Sequence, residues 1–290
     1  MRAYLCGVRG STQAPEPAFA RYGGHTSCIA LAHEGELPSL IIDGGTGLRH
    51  VTDLLDGEPF RGSLLLSHLH WDHAHGLPFF VGGARTGHRV DVLLPAIDGD
   101  ALATLARGMS PPHFPIGPAQ LGVDWTFAAL EPGTRNLEGF EVTSLEIPHK
   151  GGRTFGFRIC AEGNSLAYLS DHHPLGLGPG PDGLGAHHPA AIELARDVDV
   201  LVHDAQFLAS QFPRVAYLGH SAVEYAVSLA AVAGARSVTL FHHSPDRTDD
   251  EIDAIVAACA DAPVPVTAAA EGGELCFTPV AVGRKGSAAP

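Results

Sequence analysis

Six short runs of apolar and β-branched residues stop at an acidic or imidazole side chain. Ser39 to Ile42 halts at Asp43, Ser63 to Ser67 at His68, and Glu141 to Ile147 just ahead of His149. Leu166 to Ser170 halts at Asp171, Asp199 to Val202 at His203 and Asp204, and Ser237 to Phe241 at His242. Runs of this length bounded by turn residues predict strands. Their C-terminal ends are where an α/β sheet places a ligand site, so the pattern predicts one site fed by six strands.

Between the last two of these strands, Ser221 followed three residues later by Glu224 predicts a capping box, and the alanine-rich stretch after it predicts a helix ending at Gly234. His220 then stands at the helix entrance. Asp249 to Ala260 predicts a second amphipathic helix with Ile252, Ile255 and Val256 on one face. Pro174 to Pro189, rich in Gly and Pro, predicts a long loop of the kind that more often serves function than connection. Trp71, Phe79 and Phe80 follow at helical spacing and are expected to pack into the core. His25, His75, His113, His172, His173, His187 and His188 are expected in solvated loops, those beside Asp171 and in the Gly/Pro loop lining a substrate entrance. Residues 1–280 are expected to form one domain and 281–290 a flexible tail, since no linker divides the chain.

Composition narrows the choices. The 290 residues are 45% hydrophobic and 17% charged, enough for a substantial core. The opening Met1 to Ser11 has no secretory pattern and no apolar run is long enough for a bilayer, so a cytoplasmic protein without membrane association is expected. Five cysteines without CxxC spacing predict mostly buried, reduced thiols and no thiolate metal site. A net charge of −14 disfavours nucleic acid and favours a small-molecule substrate, although bound cations can hold one anionic group inside an acidic protein. The oligomeric state is open, and a homodimer is compatible with everything above.

The candidate chemistry is concentrated in His68, His70, Asp72 and His73, an H-x-H-x-D-H pattern directly after a strand. Its chance of arising at random in this composition is roughly 0.004. On a turn entering a helix, alternate residues reach one centre and the following pair a second. Four donors cannot complete two metal ions that need four or five partners each. His149, Asp171 and His242, at strand ends, are the candidates for the remainder. Imidazole and carboxylate donors without thiolate suit two divalent ions, zinc first, with Mn2+ or Fe as alternatives.

The order Asp43, H-x-H-x-D-H, His149, Asp171, His242 resembles the motif series of the metallo-β-lactamase superfamily. His203-Asp204-Ala205-Gln206, Gly219-His220-Ser221 and Leu240-Phe241-His242 are similar to motifs of its ribonuclease Z and small-phosphodiesterase branch. The glycine-rich Val8 to Ser11 and Tyr22 to Ser27 resemble that branch's opening strands. The resemblance implies an α/β fold, an αββα sandwich. His68, His70 and His149 would hold one metal and Asp72, His73 and His242 the other, with Asp171 bridging. It also implies that Asp43 orients a ligand histidine and that Asp204, where the branch carries Glu, holds His220 as electrophile or general acid. Asp72, Asp204 and His220 are thus the candidate catalytic residues.

These readings converge on a dinuclear metal-dependent phosphodiesterase acting on a small or cyclic phosphodiester, with a metal-bridging hydroxide assisted by His220 and Asp204. Three rivals stand beside it: a carboxylic-ester, lactone or thioester hydrolase on the same metals, a tRNA 3′ endonuclease as the branch suggests, and a non-catalytic metal-dependent binding protein. The Asp204/His220 pair argues for phosphate. The absence of a lysine-rich insertion argues against tRNA.

Overall fold

The computed structural model describes residues 1–277, and the tail expected from Ala281 lies outside them. Six strands form the first sheet in sequence order: β1 (Arg2–Gly7), β2 (Cys28–Ala32), β3 (Leu40–Ile42), β4 (Arg61–Leu65), β5 (Arg89–Leu94) and β6 (Trp125–Ala129). Pairing is antiparallel through β3 and parallel from there to β6. Seven strands form the second: β7 (Gly133–Leu137), β8 (Phe140–Glu146), β9 (Phe155–Ala161), β10 (Asn164–Leu169), β11 (Val200–Asp204), β12 (Val238–Phe241) and β13 (Val266–Ala268). Here β7 to β10 are antiparallel neighbours and β10 to β13 parallel ones.

Alternation along the strands dictates the layers. Leu5, Ile29, Leu31, Ile42 and Leu65 of the first sheet meet Phe140, Phe157, Tyr168, Val202 and Phe241 of the second in one fully buried cluster. The residues between them point outward and are covered by helices. Ile41, Leu64 and Val92 pack under α1 (Leu48–Leu54) and, beyond the one-turn α2 (Trp71–Ala74), under α3 (Ala101–Ala106). Ala167, Leu201 and Leu240 pack under α4 (Pro189–Ala195) and, after the one-turn α5 (Phe212–Val215), under α6 (Val223–Ala233). The central parallel strands β3, β4, β11 and β12 are buried on both faces, apart from Arg61 at the start of β4, and the architecture is the expected αββα sandwich.

The last helix, α7 (Asp249–Ala258), opens on a capping box from Thr248 and Glu251, and Ile252 on its predicted apolar face is buried. The capping box expected at Ser221 and Glu224 is absent. Helix α6 begins one residue later with Ala222 at its N-cap. The Ser221 hydroxyl instead donates to the carbonyl of His172 at 2.7 Å, and Glu224 accepts from the Ala209 N–H. Tertiary partners took both side chains. The C-terminal end is as expected, with Gly234 at φ 75° closing the helix. Of the five cysteines, Cys6 and Cys28 are buried, Cys160 and Cys259 half-buried and Cys276 exposed, so burial is less general than expected.

The outer edge of β1 is covered from the far end of the chain. Leu5 N–H donates to the Gly273 carbonyl at 2.9 Å, Leu275 N–H donates to the Ala3 carbonyl at 2.9 Å, and Arg2 pairs with Glu274. An exposed strand edge is thereby removed. No helix among the described residues is long and apolar enough to cross a membrane.

Candidate metal centre

All six predicted strands end at the same edge of the sandwich, three of them in a strained way. Asp43, Asp171 and His242 have φ of 60°, 56° and 56°. The left-handed region costs an ordinary residue energy but is several-fold enriched in Asp and His. One such residue after a strand turns the chain sharply and leaves its side chain aimed into the seam between the sheets. The H-x-H-x-D-H segment follows β4, with His70 extended at the N-cap of α2 and Asp72 and His73 in its single turn.

The seven candidate donors meet in two groups, His68, His70, His149 and Asp171 in one and Asp72, His73, His242 and Asp171 in the other, with the donor atoms of each group within 4.8 Å of one another. Asp171 is common to both. Its Oδ1 lies 2.9 Å from His73 Nε2 and 3.0 Å from His242 Nε2; its Oδ2 lies 3.4 Å from His149 Nε2 and 3.5 Å from His68 Nε2. His70 turns the other ring nitrogen inward, with Nδ1 3.3 Å from His149 Nε2.

The outward nitrogens of His68, His73, His149 and His242 are engaged. Asp43 is fully buried and accepts four hydrogen bonds: from His73 Nδ1 at 2.8 Å, the Ser67 backbone N–H at 2.7 Å, the Ser67 hydroxyl at 2.9 Å and the Tyr168 hydroxyl at 2.7 Å. Ser67 Oγ in turn lies 3.1 Å from His68 Nδ1. His149 Nδ1 donates to the Gly219 carbonyl at 2.8 Å and His242 Nδ1 to Gln206 Oε1 at 3.0 Å. Such bonds fix the tautomer and leave the opposite nitrogen's lone pair facing inward. Ser11 N–H donates to Asp72 Oδ2 at 2.8 Å, and Gln206 Nε2 to Ser11 Oγ at 3.2 Å. The backbone comes so close that a Cβ on Gly10 would sit 2.2 Å from His242 Nδ1, which explains the glycine of the opening segment.

The electrostatics of the cluster fit a cation site. Burial disfavours charge on His73, yet Asp171, Asp72 and Asp43 hold its pKa well above the ordinary imidazole value. Against the same burial Asp171 pushes His242 up to about 10. Burial drags His149 down to about 4 and keeps His68 and His70 low. Asp171 lies well below the usual carboxylate range despite its burial, because His242, His73 and His68 surround it. Buried carboxylates thus draw positive charge onto two imidazoles, the service a bound metal ion would perform for the whole cluster. His68 Nε2 and Asp171 Oδ2 are buried with no hydrogen-bond partner among the described residues. Unsatisfied buried donors and acceptors are costly, and two inward-facing ones within one donor group fit a metal ion as the missing partner.

Beside the seven, His220 Nδ1 donates to Asp204 Oδ2 at 3.0 Å. Asp204 is also held by the Gln206 N–H at 3.0 Å and the His172 N–H at 3.3 Å. Asp204, His220 and His242 form a third convergent group, but it shares His242 with the second and its other two members satisfy each other. The His220 ring, with Ser11, Leu69, His70, Trp71, Asp72 and Asp171, lines an open pocket of about 380 Å³ at the mouth of the centre.

Several supporting residues escaped the sequence. Ser67 and Tyr168 carry no motif that points to a role, Gln206 closed a quoted motif without being given one, and Tyr168 lies 125 positions from its partner Asp43. His172 is completely buried, 3.1 Å from His203 Nε2 behind Asp204, and not in a solvated loop. Trp71 and Phe79 are 77% and 60% exposed, contrary to the core packing expected of them, and only Phe80 is buried.

A buried cluster of five histidines and two aspartates, held at the joined edges of an αββα sandwich, defines the class as a metal-dependent hydrolase of the metallo-beta-lactamase fold. The model of the beta-lactamase superfamily domain matches residues 41–243, and the chain belongs to that superfamily. A ribonuclease Z of Salinibacter ruber is 24% identical over 279 residues, 79% of this chain and 84% of the relative. Among solved structures, the metallo-beta-lactamase fold protein YhfI of Bacillus subtilis superposes with a TM-score of 0.68 at 18% identity, covering 95% of this chain and 99% of that one. A diphosphatase of the PhnP family superposes with a TM-score of 0.65 at 19% identity over 96% and 98%.

Proposed function

We propose that this protein is a dinuclear metal-dependent phosphodiesterase whose substrate is a small or cyclic phosphodiester. The observation that carries the reading is the His220–Asp204 pair. It stands at the mouth of the pocket, outside the two donor groups, with His220 Nε2 making no hydrogen bond among the described residues. In this reading His68, His70 and His149 hold one divalent ion, Asp72, His73 and His242 the other, and Asp171 both, zinc suiting the donor set best. Ions so held supply Lewis acidity and lower the pKa of water toward neutrality.

The chain's own contribution is proton and charge management. Hydrolysis of a phosphodiester places a hydroxyl on phosphorus and breaks one P–O ester bond, and the departing oxygen needs a proton. His220 Nε2 supplies it or hydrogen-bonds the phosphoryl oxygens, while Asp204 on Nδ1 stabilises the imidazolium and holds the ring. Ser11 N–H and the Ser170 hydroxyl, 2.9 Å from Asp171 Oδ1, keep the two carboxylates in place.

His220→Ala should therefore lower kcat by about 10²-fold and leave the metal content at two ions per chain, read by elemental analysis. His149→Ala should lose metal. A diester with a p-nitrophenolate leaving group should suffer less from His220→Ala than one with an alkoxide if Nε2 protonates the leaving oxygen. Metal loss in His220→Ala, or undiminished activity, would overturn the assignment. Similarity to ribonuclease Z supports tRNA 3′ processing as a second reading, which the charge of −14 opposes.

A further inference from the structure

We infer that the substrate carries a planar aromatic ester group, seated on Trp71 in an apolar pocket that adjoins the mouth of the metal centre. The inference rests on the phosphodiester reading and adds to it the chemistry of one ester substituent.

Residues 71 to 78 explain why the pocket exists. Asp72 and His73 turn into the metal centre, so the remaining face of the segment must point away from it. Trp71, Ala74, His75 and Pro78, spaced at i, i+3, i+4 and i+7, lie along that face. Together with Leu105, Met109 and Phe114 they wall a second pocket of about 290 Å³. Leu69 and Trp71 border both this pocket and the mouth of the metal centre. Each stands between donor residues of the chain, where consecutive Cα atoms are only about 3.8 Å apart. A phosphoryl group at the metal centre and a ring against Trp71 are thus within the span of a single ester.

The lining defines what fits. Among the described residues it contains no lysine, arginine, aspartate or glutamate, and His75 and His113 are its only titratable side chains. A sugar-phosphate backbone would find no cationic partner there. A ring would find Trp71, 77% exposed and unclaimed by the core, with the apolar side chains of Leu105 and Met109 opposite. Stacking and burial of an aromatic group in such a pocket is worth about tenfold or more in affinity.

The test compares two p-nitrophenyl phosphodiesters that share the leaving group and differ in the other ester, methyl in one and 1-naphthyl in the other. The zinc-loaded protein should prefer the naphthyl diester by about tenfold or more in kcat/KM. That ratio should fall at least severalfold in Trp71→Ala, and also in Gly108→Trp. Gly108 borders the pocket, and a Cβ there meets nothing closer than 4.0 Å, so a side chain can start there without crowding the backbone and occupy the pocket. Metal content, measured in parallel, should be unchanged in both. A binding arm separates the pocket from the chemistry: 1-naphthylmethylphosphonate, whose carbon–phosphorus bond is not an ester, should bind tighter than methylphosphonate, with the difference lost in Trp71→Ala. An equal rate for both diesters, or a preference that survives both variants, overturns the aromatic pocket. If no diester is turned over while the binding difference holds and depends on Trp71, the pocket stands and the phosphodiesterase reading falls.

Discussion

Asp43 is fully buried, and four hydrogen bonds end on its carboxylate, two of them from Ser67 and one each from His73 and Tyr168. It ties β3 to the H-x-H-x-D-H turn and to β10 of the opposite sheet. Asp43→Ala removes the acceptor of two hydroxyls, a backbone N–H and an imidazole in a dry interior, which should lower stability by about 3 kcal/mol. It should also weaken metal affinity about 10- to 100-fold through His73. Thermal unfolding and metal titration read the two effects separately; affinity unchanged in a folded Asp43→Ala would deny the residue its orienting role. The residues that end strands were legible because strand period and abrupt polar stops mark them. Their supports were not, because a serine or tyrosine reveals its partner only when distant chain segments meet. Trp71 was misjudged for a different reason: helical spacing tells which residues share a face, and the donors Asp72 and His73 had already claimed the inward one.

At the scale of elements, two Ser/Thr-x-x-Glu patterns had opposite outcomes. Thr248 and Glu251 cap α7, with Thr248 N–H donating to Glu251 Oε2 at 2.8 Å. Ser221 and Glu224 are drawn to other partners, so local pattern yielded to tertiary contact. Thr248→Ala should then lower stability by about 1 kcal/mol with kcat untouched. Ser221→Ala should leave the start of α6 in place but free the segment carrying His220 from His172, lowering kcat about tenfold at constant metal content. The reverse pattern, with kcat lost in Thr248→Ala and not in Ser221→Ala, would show that the helix entrance does not hold His220. The six strands that feed the site, β3, β4, β8, β10, β11 and β12, were predictable to within two residues at each end, since buried strands leave continuous apolar runs; the other seven carried no polar stop to mark them. Their order across two sheets was not, because pairing β3 with β4 and β10 with β11 is decided by packing between layers.

The whole molecule carries a charge of −14, and the mouth of its centre is small. A small diester should be hydrolysed at rates that change little between low and high salt, because the decisive interactions lie within a few ångströms and are weakly screened. A tRNA precursor meets long-range repulsion with few cationic partners, and its kcat/KM at physiological salt should fall about a hundredfold or more below that of the small diester. Efficient precursor cleavage without small-diester turnover would reverse the substrate ranking.

The strand β1 and the segment around Gly273 to Leu275 hold each other along a shared edge, so the two ends of the described chain are neighbours. Linear order is then separable from three-dimensional form. A circular permutant that joins residue 277 to Met1 by a short flexible linker and opens at Gly57, whose surroundings are empty within 4 Å, should fold and bind the same two ions per chain, as elemental analysis and thermal unfolding can establish. In that permutant the H-x-H-x-D-H segment would come first and Asp43 last. The succession of motifs by which such chains are recognised would be gone, and the centre they build would remain.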